Sequence, residues 1–509
     1  MILYYALRWL VLVLLGLLIY AQTFQFNFVF DDYLFIVNNP YIKNFSNIHL
    51  IWHSFPMTRF IGMYSFALNY HFNQLAPMGY HVFNFIVHLL AVGLVWALAD
   101  LLLRITKYLP SENQLAKELP FIMAALFLVH PVQTQAVTYI TQRFESMATV
   151  FYLATIYCYL HARVTTIRLH RVFLFGFSGL FIILGIMTKE VVITAPVMIL
   201  VAEWILFPKE NWKKRIVVFI MTAGGLLCFI FSKMVHAGFN VFMQTVVSES
   251  HDGDIVTPVH YFLTQFRVFL TFLRLLILPL HQNLDYDYQA SSGLFHPIWT
   301  FVGAGLIAGL AFIIFKLRRK SPLMAFGLSW LLITFSINLV PRSNVIFEHK
   351  LYLISFGFIL SFVIVLTMLV RKQGTLLKIL CCLIAVLSVI AYQRNKVWAN
   401  EITLWEDCIK DSPNKSRVNA NLGRAYGVAG RYDEAIYYLS RSIALHPDNI
   451  TYENRGIIYG QEGKNPQALE DLNHSIAMDP NYFITYLKRS WIYQKEGYYK
   501  QALADLDEE

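Results

Sequence analysis

Two adjacent carboxylates, Asp31 and Asp32, lie in the aromatic stretch FVFDDYLFIVNNPYI, just after an apolar N-terminal segment. A carboxylate placed beside a hydroxyl group takes its proton as a general base. Neighbouring acids could also bind a divalent cation, but they are more often hydrogen-bonded parts of the structure than metal ligands. We therefore take the pair as the first candidate for chemistry and predict no required metal.

Other polar residues occur in short stretches between apolar segments. They are Arg59, His81, His130, Arg143, Glu145, Lys189, Glu190, Arg342, Glu348, His349 and Lys350. Charges at a membrane surface often only anchor helices or pair with one another. Together, however, the cations suit a phosphate leaving group and the acids suit an attacking hydroxyl, so the set indicates glycosyl or phosphoryl transfer from a lipid donor.

The composition places most of the chain in lipid. It is 57% hydrophobic and only 14% charged, which is too apolar for an ordinary soluble domain. The formal charge of +9 has a simple cause, because membrane proteins accumulate Lys and Arg in cytoplasmic loops, and it does not indicate a nucleic-acid partner. The five cysteines form no CxxC metal site and no disulfide framework.

Apolar runs long enough to cross a bilayer predict about eleven transmembrane helices. They lie near residues 4–21, 81–103, 119–137, 145–162, 172–188, 191–207, 216–235, 297–316, 322–340, 351–370 and 376–392. Basic residues collect in alternate loops, as at Arg104, Arg163, Arg318 and Arg371. By the positive-inside rule these loops are cytoplasmic. The N-terminus is then cytoplasmic, and the carboxylate pair and the C-terminal region lie outside.

One further apolar segment, residues 257–280, carries Arg267 and Arg274 seven positions apart. If it crossed the membrane, the basic loops at Arg318 and Arg371 would fall on the outer side. We therefore predict an amphipathic interfacial or re-entrant helix on the outer face.

The polar C-terminal part contains a repeat of 33 to 34 residues. Gly430, Gly463 and Gly497 match one another, as do Ala435, Ala468 and Ala502, and Pro413, Pro447 and Pro480. This is the tetratricopeptide pattern. We predict a membrane domain at 1–392, a linker or first outer helix at 393–412, and about three repeats at 413–509. Such arrays commonly bind proteins, although a spacer without a ligand is the alternative.

At these residues a family resemblance becomes specific. FVFDDYLFIVNNPYI, TRFIGMYSFALNYHFNQLAPMGYHVFNFIVHLL, LVHPVQTQAVTYITQRFESMATVFYL, TKEVVITAPVMIL and FEHKLYLISFGF occur in this order and are followed by the repeats. The chain thereby resembles the transmembrane-and-tetratricopeptide O-mannosyltransferases and their prokaryotic relatives. The resemblance implies an all-α polytopic bundle of the GT-C type followed by an α-solenoid, a polyprenyl-phosphate sugar as donor, and an essential acid in the first outer loop.

Carried over by motif, the acid corresponds to Asp31 or Asp32. In an extended segment, neighbours point to opposite sides, so one would face the acceptor while the other fixes the loop, and we favour Asp32 as base. The family's Gly-Arg-Ala-acid motif is Gln142, Arg143, Phe144 and Glu145 here, and its YRPL motif keeps only Arg59. In FEHKLYL, His349 stands where Arg is usual, and Lys350 supplies the cation.

The resulting assignment gives donor-phosphate binding to Arg59, Arg143, Lys189, Arg342, His349 and Lys350. His81, His130, Glu145, Glu190 and Glu348 are expected to bind substrate or support the site. The leading hypothesis is an inverting glycosyltransferase that acts on a hydroxyl of a protein docked by the repeats. The alternative is a non-catalytic membrane scaffold. Either protein would lie in a bacterial inner membrane with periplasmic repeats, or in the endoplasmic reticulum membrane if eukaryotic.

Overall fold

A computed structural model describes residues 2–55, 57–109, 114–208, 256–342 and 344–507. Within this part of the chain the structure is helical and contains no β-strand. The chain divides into two units. The first holds everything described up to residue 208 together with Thr257–Gln282 and Ala290–Ala399, and the second holds Asn283–Gln289 and the residues from Asn400 onward.

The first unit is built from α-helices of very different length. They are Ile2–Tyr20, Ile48–Ser54, Phe60–Asn73, Pro77–Thr106, Gln114–Val129, Thr134–Thr138, Arg143–Val164, Arg168–Ile186, Ala195–Leu206, Pro258–Ile277, Trp299–Leu317, Pro322–Phe335, Leu351–Leu369 and Gln373–Lys396. Three of them begin with proline, at Pro77, Pro258 and Pro322. Proline suits this position because the first helical N–H has no intrahelical partner.

Among the described residues, seven helices are long and apolar enough to cross a membrane. These spans are Leu3–Gln25, Pro77–Thr106, Arg168–Ile186, Trp299–Leu317, Pro322–Leu339, Glu348–Leu369 and Gln373–Lys396. A pair bent by 55°, Lys117–Val129 with Pro131–Thr138, would make an eighth. An all-α, multi-pass membrane protein, as the sequence predicts, is therefore confirmed.

The expected number of about eleven crossings is not reached in the described part. The segment predicted at 145–162 is the helix Arg143–Val164, which is not among the sufficiently apolar helices because charged and polar side chains occur along it. The segment predicted at 191–207 begins with a 3-10 turn, and its α-helix Ala195–Leu206 has only 12 residues. The segment predicted at 216–235 lies outside the described residues.

The helix Pro258–Ile277 is amphipathic, as the sequence predicts. Its buried residues recur at helical spacing, including Tyr261, Thr264, Val268 and Phe272, while Arg274 is exposed. The helix is not among those apolar enough to cross a membrane. Its placement at the outer membrane surface stays a prediction.

The first loop after the N-terminal helix has a small apolar core of its own. Phe28, Ile36, Ile51, Met63 and Phe66 are buried together there, with residues of Pro77–Thr106 and of the loop before Arg143. The carboxylate pair lies at the edge of this core, in a short helical turn that continues to Val37. Because this turn packs as a unit, it provides a fixed base for the two acids.

The second unit consists of a first helix and three helix pairs. They are Glu401–Asp411, then Ser416–Val428 with Tyr432–Leu445, Asn449–Glu462 with Asn465–Met478, and Phe483–Lys495 with Tyr499–Asp507. Gly430, Gly463 and Gly497 follow the first helix of each pair with φ of 76°, 83° and 79°. Glycine fits there because it adopts the left-handed conformation without a steric penalty. The tetratricopeptide assignment and the predicted domain limits stay predictions.

Candidate active site

Asp32 is buried and holds two chain segments together. Its Oδ2 accepts the Val29 N–H at 3.1 Å, and its Oδ1 accepts the Thr141 N–H at 2.8 Å. The Thr141 hydroxyl also donates to Oδ1. Burial raises the pKa of Asp32 to about 7, although the hydrogen bonds from Val29 and Thr141 act in the opposite direction and lower it. Both carboxylate oxygens of Asp32 therefore already have protein donors, and its predicted role as the base stays a prediction.

Asp31 has a different environment, although it is the next residue. It is half-buried, and its backbone N–H donates to the Tyr139 hydroxyl at 3.0 Å. The extended segment expected from the sequence is wrong, since both acids lie in a helical turn that begins after Phe30, whose φ is 49°. The surroundings of the two acids differ, because the turn buries only Asp32, and their different roles stay a prediction.

A single short segment, residues 139–145, which ends in the first turn of the helix Arg143–Val164, connects the carboxylate pair with a group of charged side chains. Thr141 binds Asp32, as described above, and Gln142 Oε1 accepts from Lys189 Nζ at 3.5 Å. Glu145 Oε2 lies 2.9 Å from the same Lys189 Nζ. Burial lowers the pKa of Lys189, and the Glu145 carboxylate partly offsets that effect. The segment thus positions residues of both groups.

Glu190 is bound by two arginines from distant parts of the sequence. Arg342 forms an ion pair with it, and the Arg59 guanidinium lies 3.7 Å from its other oxygen. Burial would raise the pKa of Glu190, but Arg59, Arg342 and Lys189 outweigh burial and hold it well below its usual range. Arg59 is held nearby because the Ile61 N–H donates to the Met187 carbonyl at 3.0 Å. Glu190 is therefore ionised and organises the cations.

These charges surround a small cavity that is partly open to solvent. Its walls are formed by Glu145, Lys189, Glu190, Val191, Thr334, Ile337, Arg342 and Lys350. Two buried donors in the wall, Lys350 Nζ and Arg342 Nε, have no hydrogen-bond partner among the described residues. A buried donor without a partner is costly, so these two atoms are suited to a bound anion.

Arg143 lies elsewhere in the first unit. It is fully buried, and its guanidinium donates to Asn84 Oδ1 at 2.6 Å, to the Ser65 carbonyl at 3.3 Å and to the Tyr80 carbonyl at 3.1 Å. It also lies 4.6 Å from the centre of the Phe66 ring. Arg143 is not among the residues that line the cavity. This geometry indicates that Arg143 supports the loop, and its predicted contact with a phosphate stays a prediction.

Phe144 occupies a motif position where the related family has a small residue. Its ring packs against Gly62, where an added Cβ would lie 2.2 Å from Phe144 Cδ1. The Arg59 guanidinium lies 5.0 Å from the centre of the same ring. The Phe144 ring is accommodated here because the facing position is glycine.

The remaining predicted residues are buried, and most of them have protein partners. Glu348 accepts from Gln282 Nε2 at 3.1 Å, and His130 Nε2 lies 3.0 Å from the Leu276 carbonyl. His81 packs edge-on against Phe26, with ring centres 6.4 Å apart. His349 packs against Phe347, and its Nδ1 has no hydrogen-bond partner in the described part of the chain. Both ring nitrogens of His81 also have no hydrogen-bond partner in that part of the chain, but of these two histidines only His349 is next to the cavity residue Lys350.

Sequence reasoning missed several residues that position the site. Tyr139, Thr141 and Gln142 contact the predicted acids and Lys189, and their proximity to Arg143 in sequence was the available signal. Gln282, which binds Glu348, gave no such signal. The described residues contain no group of three or more His, Cys, Asp or Glu side chains that could hold a metal ion. Metal dependence stays a prediction.

No family model matches the chain. Individual relatives do match. The chain is 25% identical over 460 residues to protein O-mannosyl-transferase F38B6.6 of Caenorhabditis elegans, covering 86% of this chain and 62% of that protein. It is 25% identical to mouse protein O-mannosyl-transferase TMTC3, covering 83% of this chain and 49% of the relative. The human protein O-mannosyl-transferase TMTC1 is 24% identical over 84% of this chain and 54% of its own length.

The chain therefore spans about half to 62% of the length of these relatives. Among solved structures, ArnT from Cupriavidus metallidurans bound to undecaprenyl phosphate aligns over 92% of this chain and 80% of its own, with 11% identity and a TM-score of 0.37, which is too low to assign a fold. The family resemblance predicted from the motifs is confirmed by the sequence relatives: over most of its length, this chain is similar to proteins named protein O-mannosyl-transferases.

Proposed function

We propose that the chain is a membrane glycosyltransferase of the GT-C type that moves a sugar from a polyprenyl-phosphate donor to a hydroxyl of a protein. The main support is the pair of unused buried donors, Lys350 Nζ and Arg342 Nε, in the wall of one cavity. The cavity wall carries three cations, Lys189, Arg342 and Lys350, and two carboxylates, Glu145 and Glu190. A bound phosphate would supply acceptors for the two unused donors.

The proposed reaction is a single displacement with inversion. The acceptor hydroxyl oxygen forms a bond to the anomeric carbon while the bond between that carbon and the phosphate oxygen breaks. The leaving polyprenyl phosphate keeps the electron pair, and Lys350 and Arg342 stabilise its charge. The hydroxyl proton passes to a carboxylate. We assign this role to Asp31, because both Asp32 oxygens already accept hydrogen bonds from Val29 and Thr141.

We further propose that the cavity lies at the outer membrane face, with the N-terminus cytoplasmic and the C-terminal unit outside. The alternation of basic loops in the sequence supports this orientation. The C-terminal helix pairs would dock the acceptor protein, as repeat arrays commonly do. The relatives' names support mannose as the sugar.

The first test uses the purified full-length protein in lipid nanodiscs. A photoreactive polyprenyl phosphate should label the wild type, and free polyprenyl phosphate should prevent that labelling. Lys350→Met should abolish labelling, whereas Asp31→Asn should retain it. Undiminished labelling of Lys350→Met would contradict the phosphate site. Labelling that no free donor prevents would favour the scaffold over the enzyme.

The second test measures transfer. Labelled mannose on polyprenyl phosphate is added to membranes that contain outer-compartment proteins, and mass spectrometry identifies acceptors that carry one extra hexose. Asp31→Asn should lower the rate by about 10²- to 10⁴-fold, as expected for a general base. Asp100→Asn serves as the matched control, because Asp100 pairs with the exposed Arg104 on the helix Pro77–Thr106. Equal rates in Asp31→Asn and wild type would contradict the role of Asp31.

A further inference from the structure

Tyr139 is the residue that contacts Asp31 from the facing loop. The Tyr139 side chain is buried, with 1% of its surface exposed. Its hydroxyl oxygen accepts the Asp31 backbone N–H at 3.0 Å, and the hydroxyl also forms a hydrogen bond with the Asp31 side chain. One hydroxyl therefore fixes both the backbone and the carboxylate of the same residue.

Tyr139 is itself held rigidly. Its ring stacks on Trp398, with centres 5.2 Å apart and planes 19° from parallel. The preceding residue, Thr138, donates to Asn395 Oδ1 at 2.6 Å, and Asn395 Nδ2 donates to the Ile19 carbonyl at 3.1 Å. The end of the helix Gln373–Lys396 and the residues just after it therefore fix the position of Tyr139.

We propose that Tyr139 is a positioning residue for Asp31. The Tyr139 hydroxyl orients the Asp31 carboxylate toward the acceptor and keeps this carboxylate ionised. This inference rests on the proposed role of Asp31 as the base. Burial and the two nearby acids raise the pKa of Tyr139 well above its ordinary value, so the phenol keeps its proton and remains a donor. A donor to a carboxylate favours the ionised form, which is the form that accepts a proton.

Two further charged groups in this region are Asp32 and Arg143. Asp32 is adjacent in the chain and disfavours ionisation of Asp31 by charge repulsion, while Arg143 interacts with Asp32. Removing the Tyr139 hydroxyl should therefore raise the pKa of Asp31 and release the carboxylate from its fixed orientation.

The variant Tyr139→Phe keeps the ring and its stacking on Trp398 but removes the hydroxyl. Carbodiimide modifies protonated carboxyl groups, so the pH at which Asp31 labelling reaches half its maximum reports its protonation without requiring activity. Peptide mass spectrometry should show this midpoint about one pH unit higher in Tyr139→Phe than in wild type. The control Tyr108→Phe removes a hydroxyl that bonds Thr367 at 2.6 Å and should leave the midpoint unchanged.

Transfer kinetics provide the second measurement. In Tyr139→Phe, kcat should fall roughly tenfold, with KM for the polyprenyl-phosphate donor unchanged and the acidic limb of the pH profile moved upward. An unchanged Asp31 midpoint in a folded Tyr139→Phe would overturn the inference. If the midpoint moves but Asp31→Asn transfers sugar normally, the positioning contact stands and the proposed base is wrong.

Discussion

Among the described residues, Asp285 and Glu190 are carboxylates that are each bound by two cations, but the groups around them differ in whether any stays without a partner. Asp285, in the second unit, lies 2.9 Å from Lys415 and 2.6 Å from Arg417, and Lys415 also donates to the Tyr286 carbonyl at 2.8 Å. Glu190, in the first unit, is bound by Arg59 and Arg342. Beside Glu190, however, a further cation lines an open cavity.

That further cation is Lys350, whose Nζ has no hydrogen-bond partner among the described residues. Opposite charges around Asp285 hold its pKa below the usual range, since the attraction of Arg417 and Lys415 outweighs burial. The Asp285 cluster thus has the features of a structural ion pair. The excess cation beside Glu190 is better explained by a ligand, because a buried charge without a partner lowers stability.

The largest expected effect is on the Asp285 cluster. Asp285→Asn leaves Lys415 and Arg417 without a buried anion, and should lower the free energy of unfolding of the second unit by about 3–5 kcal/mol. Limited proteolysis of the full-length protein measures the change, if the rate of cleavage is followed at sites after residue 400. Glu434→Gln, at an exposed pair with Arg431, should have little effect. Equal resistance of Asp285→Asn and wild type would contradict the structural role.

Lys350→Met, in contrast to Asp285→Asn, should lower activity without lowering stability. Transfer should fall by about 10²- to 10³-fold, the loss typical of one group that stabilises a transition-state charge. Thermal stability should stay the same or rise, because an unpaired buried cation is removed. The matched variant Lys415→Met should lower stability and leave polyprenyl-phosphate labelling unchanged. A stability loss in Lys350→Met as large as that in Lys415→Met would remove the distinction between the clusters.

Arg342→Lys tests whether the geometry of the cation matters as well as its charge. The planar guanidinium of Arg342 binds Glu190 through one nitrogen and presents another, Nε, to the cavity. A lysine has only one nitrogen in its side chain and cannot do both. We expect roughly tenfold weaker binding of polyprenyl phosphate, corresponding to one lost charged hydrogen bond. Competition against the photoreactive probe measures it, and Arg104→Lys at an exposed pair is the control. Unchanged affinity would show that charge alone suffices.

The last expected effect concerns the pH dependence of stability that comes from Asp32. Burial raises its pKa to about 7 from 3.8, so the native state binds this proton more tightly than the unfolded state. The contribution of Asp32 to stability should therefore fall as the pH rises from about 4 to 7, by at most about 1.4 kcal/mol per pH unit.

Thermal unfolding of wild type and Asp32→Asn at pH 5, 6 and 8 measures this contribution. The difference in stability between wild type and Asp32→Asn should favour the wild type most at pH 5 and least at pH 8. If the stability of the wild type relative to Asp32→Asn instead increased with pH, Asp32 would be ionised in the folded protein. Burial would then not distinguish Asp32 from Asp31 in the way proposed.

Much of the site was accessible from the sequence, because charged residues in an apolar chain are rare and stand out. Lys189, Glu190, Arg342 and Lys350 were all identified in this way, and the structure brings them together at one cavity. Arg143 was also identified, but a sequence motif does not distinguish a cation that faces a ligand from one that is bound by Asn84 and backbone carbonyls. That distinction depends on which acceptors are within reach in three dimensions.

By itself, the sequence determined an all-α membrane protein, its family resemblance and the period of its C-terminal helices, because hydrophobic length and residue spacing report those features directly. Only the tertiary structure decided the different surroundings of Asp31 and Asp32. The acids are adjacent in the chain, but a helical turn buries Asp32 against Thr141 and leaves Asp31 half-buried beside Tyr139. The hydrogen bonds that set the chemistry of these carboxylates come in part from Tyr139 and Thr141, which are more than 100 positions away in the chain.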